Sequence, residues 1–228
     1  KGLAEAGADI YGASYPGDFT EIKKAVEACG RRFEGQKANL MSIEPIEGIV
    51  GDCLAKFGRV DILVNNAGII RREDSVDFTE ADWDAVIDVN LKALFFTSQA
   101  FAKEAMAAGN LPANIVNIAS LLSFQGGIRV PSYTASKHGV AGLTKVLANE
   151  WAEKGINVNA IAPGYIATNN TTALRADPDR NRAILDRIPA GRWGDPADIG
   201  GTAAFLCSEA ARYIHGAVLN VDGGWLAR

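Results

Sequence analysis

Short apolar runs alternate along this chain with longer segments of helical period, and that alternation leaves few folds open. Residues 8–12, 62–64, 114–119, 156–162 and 218–221 read as strands, several of them bounded by Asn, Gly or Pro. Thr79 opens a helix, with Asp82 three residues on as a capping-box partner. Trp83, Val86, Ile87, Leu91, Leu94 and Phe95 follow at helical spacing, and the pattern fades near Gly109. A second helix starts at Ser132, carries Val140, Leu143, Leu147 and Trp151 on one face, and stops at Gly155. A late helix covers 199–206, and residues 1–7 read as a helix tail ending at Gly7. Strand and helix in alternation require right-handed crossovers and a parallel sheet. The expected fold is α/β: one Rossmann-type, doubly wound parallel sheet with helices on both faces, a single domain over residues 1–228. Its site belongs in the loops at the carboxyl ends of the strands.

Composition removes several classes of function. The net charge of -4 gives no basic surplus for nucleic acid. It also gives no general attraction for anions, so an anionic substrate needs locally placed Arg or Lys. Cys29, Cys53 and Cys207 are odd in number and lack ligand spacing, as expected of reduced thiols in a cytoplasmic protein. With two histidines and no Cys/His cluster, no metal site is expected. No apolar run reaches membrane-spanning length.

The chemistry concentrates in a few residues. Tyr133 and Lys137, four apart at a helix start, share a face. An ammonium beside a phenol favours phenolate and lowers its pKa from about 10, so the phenol can exchange a proton near neutral pH. That pair alone is common in helices. Its context is not: Ser120 ends one strand thirteen residues earlier, and Asn65-Asn66-Ala67-Gly68 ends another. Asn90 stands mid-helix, where Asn is a poor former. Pro163-Gly164 ends a third strand, and Thr168 follows in its loop.

In order and spacing these motifs resemble the short-chain dehydrogenase/reductase family over essentially the whole chain. The resemblance implies that Tyr133 is the general acid/base. Lys137 then tunes Tyr133 and holds the nicotinamide ribose, and Ser120 bonds the reacting oxygen. Asn90 holds a water that relays protons from Lys137. It further implies that Asn66, Ala67 and Gly68 pass the adenosine half of the cofactor, with Pro163, Gly164, Ile166 and Thr168 near the nicotinamide. The helix-capping alternative for Thr168 stays open. So does a helix kink satisfied by backbone bonds for Asn90.

Three departures from the family pattern matter. The N-terminal strand and the Gly-rich phosphate loop are absent from the given sequence, so about 20 to 30 further residues are expected ahead of Lys1. Ser14, at the end of the second strand of the pattern, is neither the acid of NAD users nor the base of NADP users. With no basic residue close in sequence, NAD is the expected cofactor, and NADP is not excluded. Asn39 and Leu40 follow the third strand, where the Asn39 amide can meet adenine.

Several stretches narrow the resemblance to members that interconvert a secondary alcohol and ketone on a sugar acid in pectin breakdown: 70–74, 122–133, 165–171, 187–194 and 222–228. A carboxylate calls for Arg, which pairs it in a bidentate way. Arg129 and Arg71 are the candidates, with Gln125 for a hydroxyl, and Arg175 and Arg192 flank an expected substrate lid over 169–194. Relatives imply a homotetramer, with Trp225 at a subunit interface or, alternatively, covering its own core. The other readings are gluconate 5-dehydrogenase, 3-oxoacyl-carrier-protein reductase and a non-catalytic dinucleotide-binding protein.

Overall fold

Why the short apolar runs become strands is visible in where their side chains go. In the computed structural model, which describes residues 1–169 and 171–228, six strands form and every pairing is parallel. Strands β1 (Ile10–Ser14) and β2 (Phe33–Lys37) pair with each other. Strands β3 (Ile62–Asn65), β4 (Ala113–Ile118), β5 (Ile156–Pro163) and β6 (Val218–Val221) pair in that order. Successive side chains of a strand point to opposite faces. Ile115 of β4 and Val158 of β5 therefore pack on one side with Phe101, Ala105, Leu147 and Trp151. Their neighbours Val116 and Ile161 pack on the other with Ala203 and Leu206. Burial on both faces is why these strands read as unbroken apolar runs and not as alternating ones.

The helices supply those two layers. In chain order they are α1 (Gly2–Glu5), α2 (Thr20–Glu27), α3 (Ile46–Phe57), α4 (Glu80–Ile87), α5 (Ala93–Ala107), α6 (Pro131–Trp151), α7 (Thr172–Ala176), α8 (Pro178–Leu185) and α9 (Pro196–Leu206). Helices α5 and α6 cover one face of the larger sheet and α9 covers the other, the doubly wound arrangement. No ladder joins the two sheets among the described residues.

Two local differences from the sequence reading have physical causes. The first strand begins at Ile10 because the Asp9 carboxylate is engaged, accepting from the Arg32 backbone N–H at 2.9 Å and pairing with Arg31 at 2.9 Å. The helix expected from Thr79 to Gly109 is interrupted by a π-helical turn, Asp88–Lys92, centred on Asn90. Thr79 caps α4 by accepting from the Asp82 backbone, but the Asp82 carboxylate turns to the Thr79 hydroxyl and to Arg71.

A chain of buried amides and hydroxyls ties the layers together. Asn65, the last residue of β3, donates to the Ser98 hydroxyl on α5 and to Asn117 on β4, both at 2.9 Å. Asn117 in turn donates to Thr144 on α6 at 3.0 Å. Ser98 and Thr144 close the chain on the carbonyls of Leu94 and Val140. Two strands and two helices are thus locked in one register, and a buried polar group left unpaired costs about 1–3 kcal/mol. Asn117→Ala removes one bond from Asn65 and one from Thr144, which keep their bonds to Ser98 and Val140. It is expected to lower unfolding stability by about 1–3 kcal/mol, read from urea midpoints at unchanged slope.

Candidate active site

The site is assembled by three carboxyl-end loops and the π-turn. Gly139 on α6 has no side chain, and a β-carbon there would sit 2.8 Å from the Leu91 side chain. That close approach brings the π-turn against α6, so the Asn90 amide reaches the Ser136 hydroxyl at 3.3 Å. The other bonds of Asn90 grip Ile69. Its oxygen accepts from the Ile69 N–H at 2.8 Å and its nitrogen donates to the Ile69 carbonyl at 2.9 Å. The turn 65–68 is thereby held in place, with a Gly68 β-carbon position 3.4 Å from the Asn90 oxygen and 4.0 Å from Lys137 Nζ. The backbone alternative for Asn90 describes its present bonds. The same residue still stands beside Lys137.

Lys137 is buried, and its ammonium donates to the Ile118 carbonyl at the end of β4 at 2.6 Å. It lies over the ring of Tyr133, 5.6 Å from the centroid. Desolvation lowers its pKa to about 8. Tyr133 behaves differently from the sequence expectation: burial pushes the phenol up, while the Ser120 hydroxyl and the charge of Arg72 pull it down. In this state the ammonium is turned to a carbonyl and to the ring face, so burial outweighs it. Ser120 is the last residue before a short turn and accepts from the Leu122 N–H at 3.2 Å. Its hydroxyl and the Tyr133 phenol lie side by side.

Two serines that sequence reasoning passed over complete the frame. Ser136 donates to the Tyr133 carbonyl at 2.8 Å, and Ser123 donates to the Lys137 carbonyl at 2.6 Å. Ser136 was legible in principle, since a buried hydroxyl three residues after Tyr133 shares its face. Ser123 was not, because its partner lies across a loop.

Along the same edge of the sheets stand the other predicted residues. Asn66, Ala67 and Gly68 are exposed beyond β3. Pro163 ends β5, and a β-carbon on Gly164 would lie 2.5 Å from the Asp222 α-carbon, so only Gly fits. Ile166 is buried and bridged to Gly194. Thr168 caps the short turn Asn169–Thr171, its N–H donating to the Thr171 hydroxyl at 3.0 Å. The capping alternative therefore describes it. Ser14 ends β1, while Asn39 and half-buried Leu40 follow β2; the Asn39 amide oxygen accepts from Met41 at 3.1 Å. The sheet register sets Lys37 opposite Ser14, with its ammonium 5.1 Å from the Tyr15 ring centroid. The sequence expectation of no base near Ser14 is thus corrected, because 23 residues of chain separate what one ladder joins.

The arginines are mostly engaged. Arg129 pairs with Glu73 at 2.9 Å and Asp74 at 3.1 Å, and Arg71 pairs with Asp82 at 3.2 Å. Arg192 pairs with Asp198 at 2.8 Å, and Arg175 donates to the Thr168 carbonyl at 3.1 Å. Gln125 is half-buried in the same loop as Arg129. Trp225 is 4% exposed within its own chain, under Arg187 and 4.7 Å from the Tyr165 ring centroid. It seals the core with Ile184, Ile188 and Leu121 and does not present a free interface, so the alternative of cover over its own core holds. Of the segment 169–194, only residue 170 lies outside the described residues.

A phenol, a hydroxyl and a buried cation around one opening fit a nicotinamide cofactor. Lys137 and Tyr133 would hold its ribose hydroxyls, and the exposed glycine turn at 66–68 would allow close approach. When bound, that cofactor gives or takes the hydride. The Ser120 hydroxyl and the Tyr133 phenol are groups that could bond one substrate oxygen, and a phenol can give or take a proton there. Among the described residues no group of three or more His, Cys, Asp or Glu could hold a metal.

A family model described as enoyl-(acyl carrier protein) reductase matches residues 1–226. The chain is a short-chain dehydrogenase/reductase. It is 58% identical to the 2-dehydro-3-deoxy-D-gluconate 5-dehydrogenase of Escherichia coli K12, across 100% of this chain and 89% of that protein. The enzyme of the same name from Bacillus subtilis is 54% identical with the same coverage. A crystal structure with bound NADP, of an Agrobacterium tumefaciens protein described as a 2-deoxy-D-gluconate 3-dehydrogenase, superposes with a TM-score of 0.93. It is 63% identical and covers 100% of this chain and 89% of its own.

The depressed Lys137 makes this dehydrogenase pH-sensitive in a stated direction. Burial disfavours the charged lysine, so between about 8 and 10.5 the unfolded chain binds the extra proton and stability rises with pH. Lys137→Met is expected to gain up to roughly 3 kcal/mol at pH 7, a gain that shrinks as pH rises through this window. Urea unfolding of the cofactor-free protein at pH 7 and pH 10 measures it; an equal gain at both values counts against the burial argument.

Proposed function

We propose that this dehydrogenase interconverts a secondary alcohol and a ketone on a sugar acid, with 2-dehydro-3-deoxy-D-gluconate as substrate and the 5-position as the reacting carbon. The observation that carries the reading is the meeting of the Ser120 hydroxyl and the Tyr133 phenol beside buried Lys137. Similarity to enzymes named for that reaction supports the substrate. Arginines around the opening support an anion. Asn90, Ser120, Tyr133 and Lys137 are the residues we assign to proton handling. Segment 169–194 is the substrate cover, closed at its base where Gly194 returns to Ile166.

For the nucleotide, the neutral Ser14 and Tyr15 support NAD. Lys37 across the ladder supports NADP as a second reading, since a 2′-phosphate next to Ser14 would meet its ammonium. We place the working protein in the cytoplasm as a homotetramer, acting in pectin breakdown. The subunit contact is the apolar groove of about 510 Å³ between the π-turn, α5 and α6, lined by Leu91, Phe95, Phe96 and Leu143. No helix among the described residues is long and apolar enough to cross a membrane.

The reading is tested by NADH and NADPH oxidation against a panel of keto sugar acids and an acetoacetyl thioester. Turnover of the sugar acid is expected, with Tyr133→Phe losing about 10²-fold or more of kcat while still quenching on cofactor binding. Turnover of the thioester alone sinks it. Lys37→Ala is expected to reduce kcat/KM for NADPH about tenfold and to leave NADH nearly unchanged, and equal losses for both would remove Lys37 from the nucleotide site.

A further inference from the structure

We infer that Arg72 receives the carboxylate of the substrate, and that Arg129 is the strut that aims it. This rests on the sugar-acid reading above and names the group that the reading leaves open.

Arg71, Arg72 and Arg129 stand on the loops beside the site, and Arg175, Arg180, Arg182, Arg187 and Arg192 on the cover segment, where Arg187 lies over the Trp225 ring. Arg71, Arg129 and Arg192 are in ion pairs with acids, and Arg175 donates to a backbone carbonyl. A substrate carboxylate would have to displace two acids from Arg129 and one each from Arg71 and Arg192. Among the described residues Arg72 has no ion pair and no side-chain hydrogen bond, so its guanidinium can take a carboxylate without displacing a partner.

Its placement is fixed from both sides. Ile69 is gripped by Asn90 through two bonds, at 2.8 and 2.9 Å. Glu73 is gripped by Arg129, with its N–H donating to the Arg129 carbonyl at 3.1 Å and its carboxylate accepting from the guanidinium at 2.9 Å. Residues 70–72 therefore form a short span from the π-turn to the loop that leads into Tyr133. The span thus runs between the turn beside Lys137 and the loop that enters α6 four residues before Tyr133, and the charge of Arg72 favours the ionised Tyr133 phenol. Arg129 adopts φ 63°, a left-handed conformation that non-glycine residues rarely hold. Such strain persists where the surroundings determine it, and here backbone and side chain both bind the Glu73 segment. Arg129 is thus a positioning residue. It acts on the substrate through the place it gives Arg72.

The test is steady-state kinetics of the full protein with cofactor, on the keto sugar acid and on its neutral carboxamide. Arg72→Gln is expected to raise KM for the acid about 10- to 100-fold with kcat within about threefold, and to leave KM for the carboxamide unchanged. Arg72→Lys recovers part of the loss. Arg129→Gln raises KM for the acid by less, and Arg129→Lys, which keeps a cation for Glu73, restores it. Wild-type KM for the acid in Arg72→Gln, or equal rises for acid and carboxamide, overturns the assignment alone. A wild-type protein that turns over no sugar acid overturns the functional reading, and this assignment with it.

Discussion

Everything at the reacting end depends on a line of buried hydrogen bonds that runs from Ser98 through Asn65 and Asn117 to Thr144. Polar side chains between a sheet and its helices are unfavourable unless each finds a partner. Once all are paired, they specify one register where apolar packing would tolerate several. This line holds the strands whose ends carry Asn66 and Ser120 against the helices that follow Asn90 and carry Tyr133. Small shifts of those strands would separate the hydroxyl from the phenol, so the network sets the precision of the site.

The second constraint is electrostatic. A lysine at 4% exposure is costly, and among the described residues its ammonium bonds one carbonyl, at 2.6 Å. The result is a cation poised near neutral pH beside a phenol whose own burial opposes ionisation. Ser120 on one side and Arg72 on the other work against that opposition. Ionisation of Tyr133 is thus a balance of desolvation against two neighbours, and not a property of the Tyr–Lys pair alone.

Much of this was legible along the chain. The strands at 62–65, 113–118, 156–163 and 218–221 announce themselves as apolar runs because both faces of the sheet are covered. Ser120, Tyr133 and Lys137 stand out because their spacing repeats a family pattern. The π-turn was not legible. Asn90 reads as a poor helix former, but only the contact of Leu91 with Gly139 and the bonds to Ile69 explain why the helix yields there. Trp225 likewise reads as an interface residue or a cover over its own core, and only Tyr165, Arg187 and Ile188 around it decide for the second.

Local and periodic information, then, was enough for the fold class, for most strands and for the pattern that singles out Ser120, Tyr133 and Lys137, because those depend on side-chain period and on spacing along the chain. The allocation of charge was decided in three dimensions. Lys37 meets Ser14 only through a sheet ladder, and Arg129 is withdrawn from solvent duty only by acids 55 and 56 positions away. Arg72 is left unpaired by the same pairings. Ion pairs join residues that the chain brings together by folding, and nothing in their linear order records which partner each will choose.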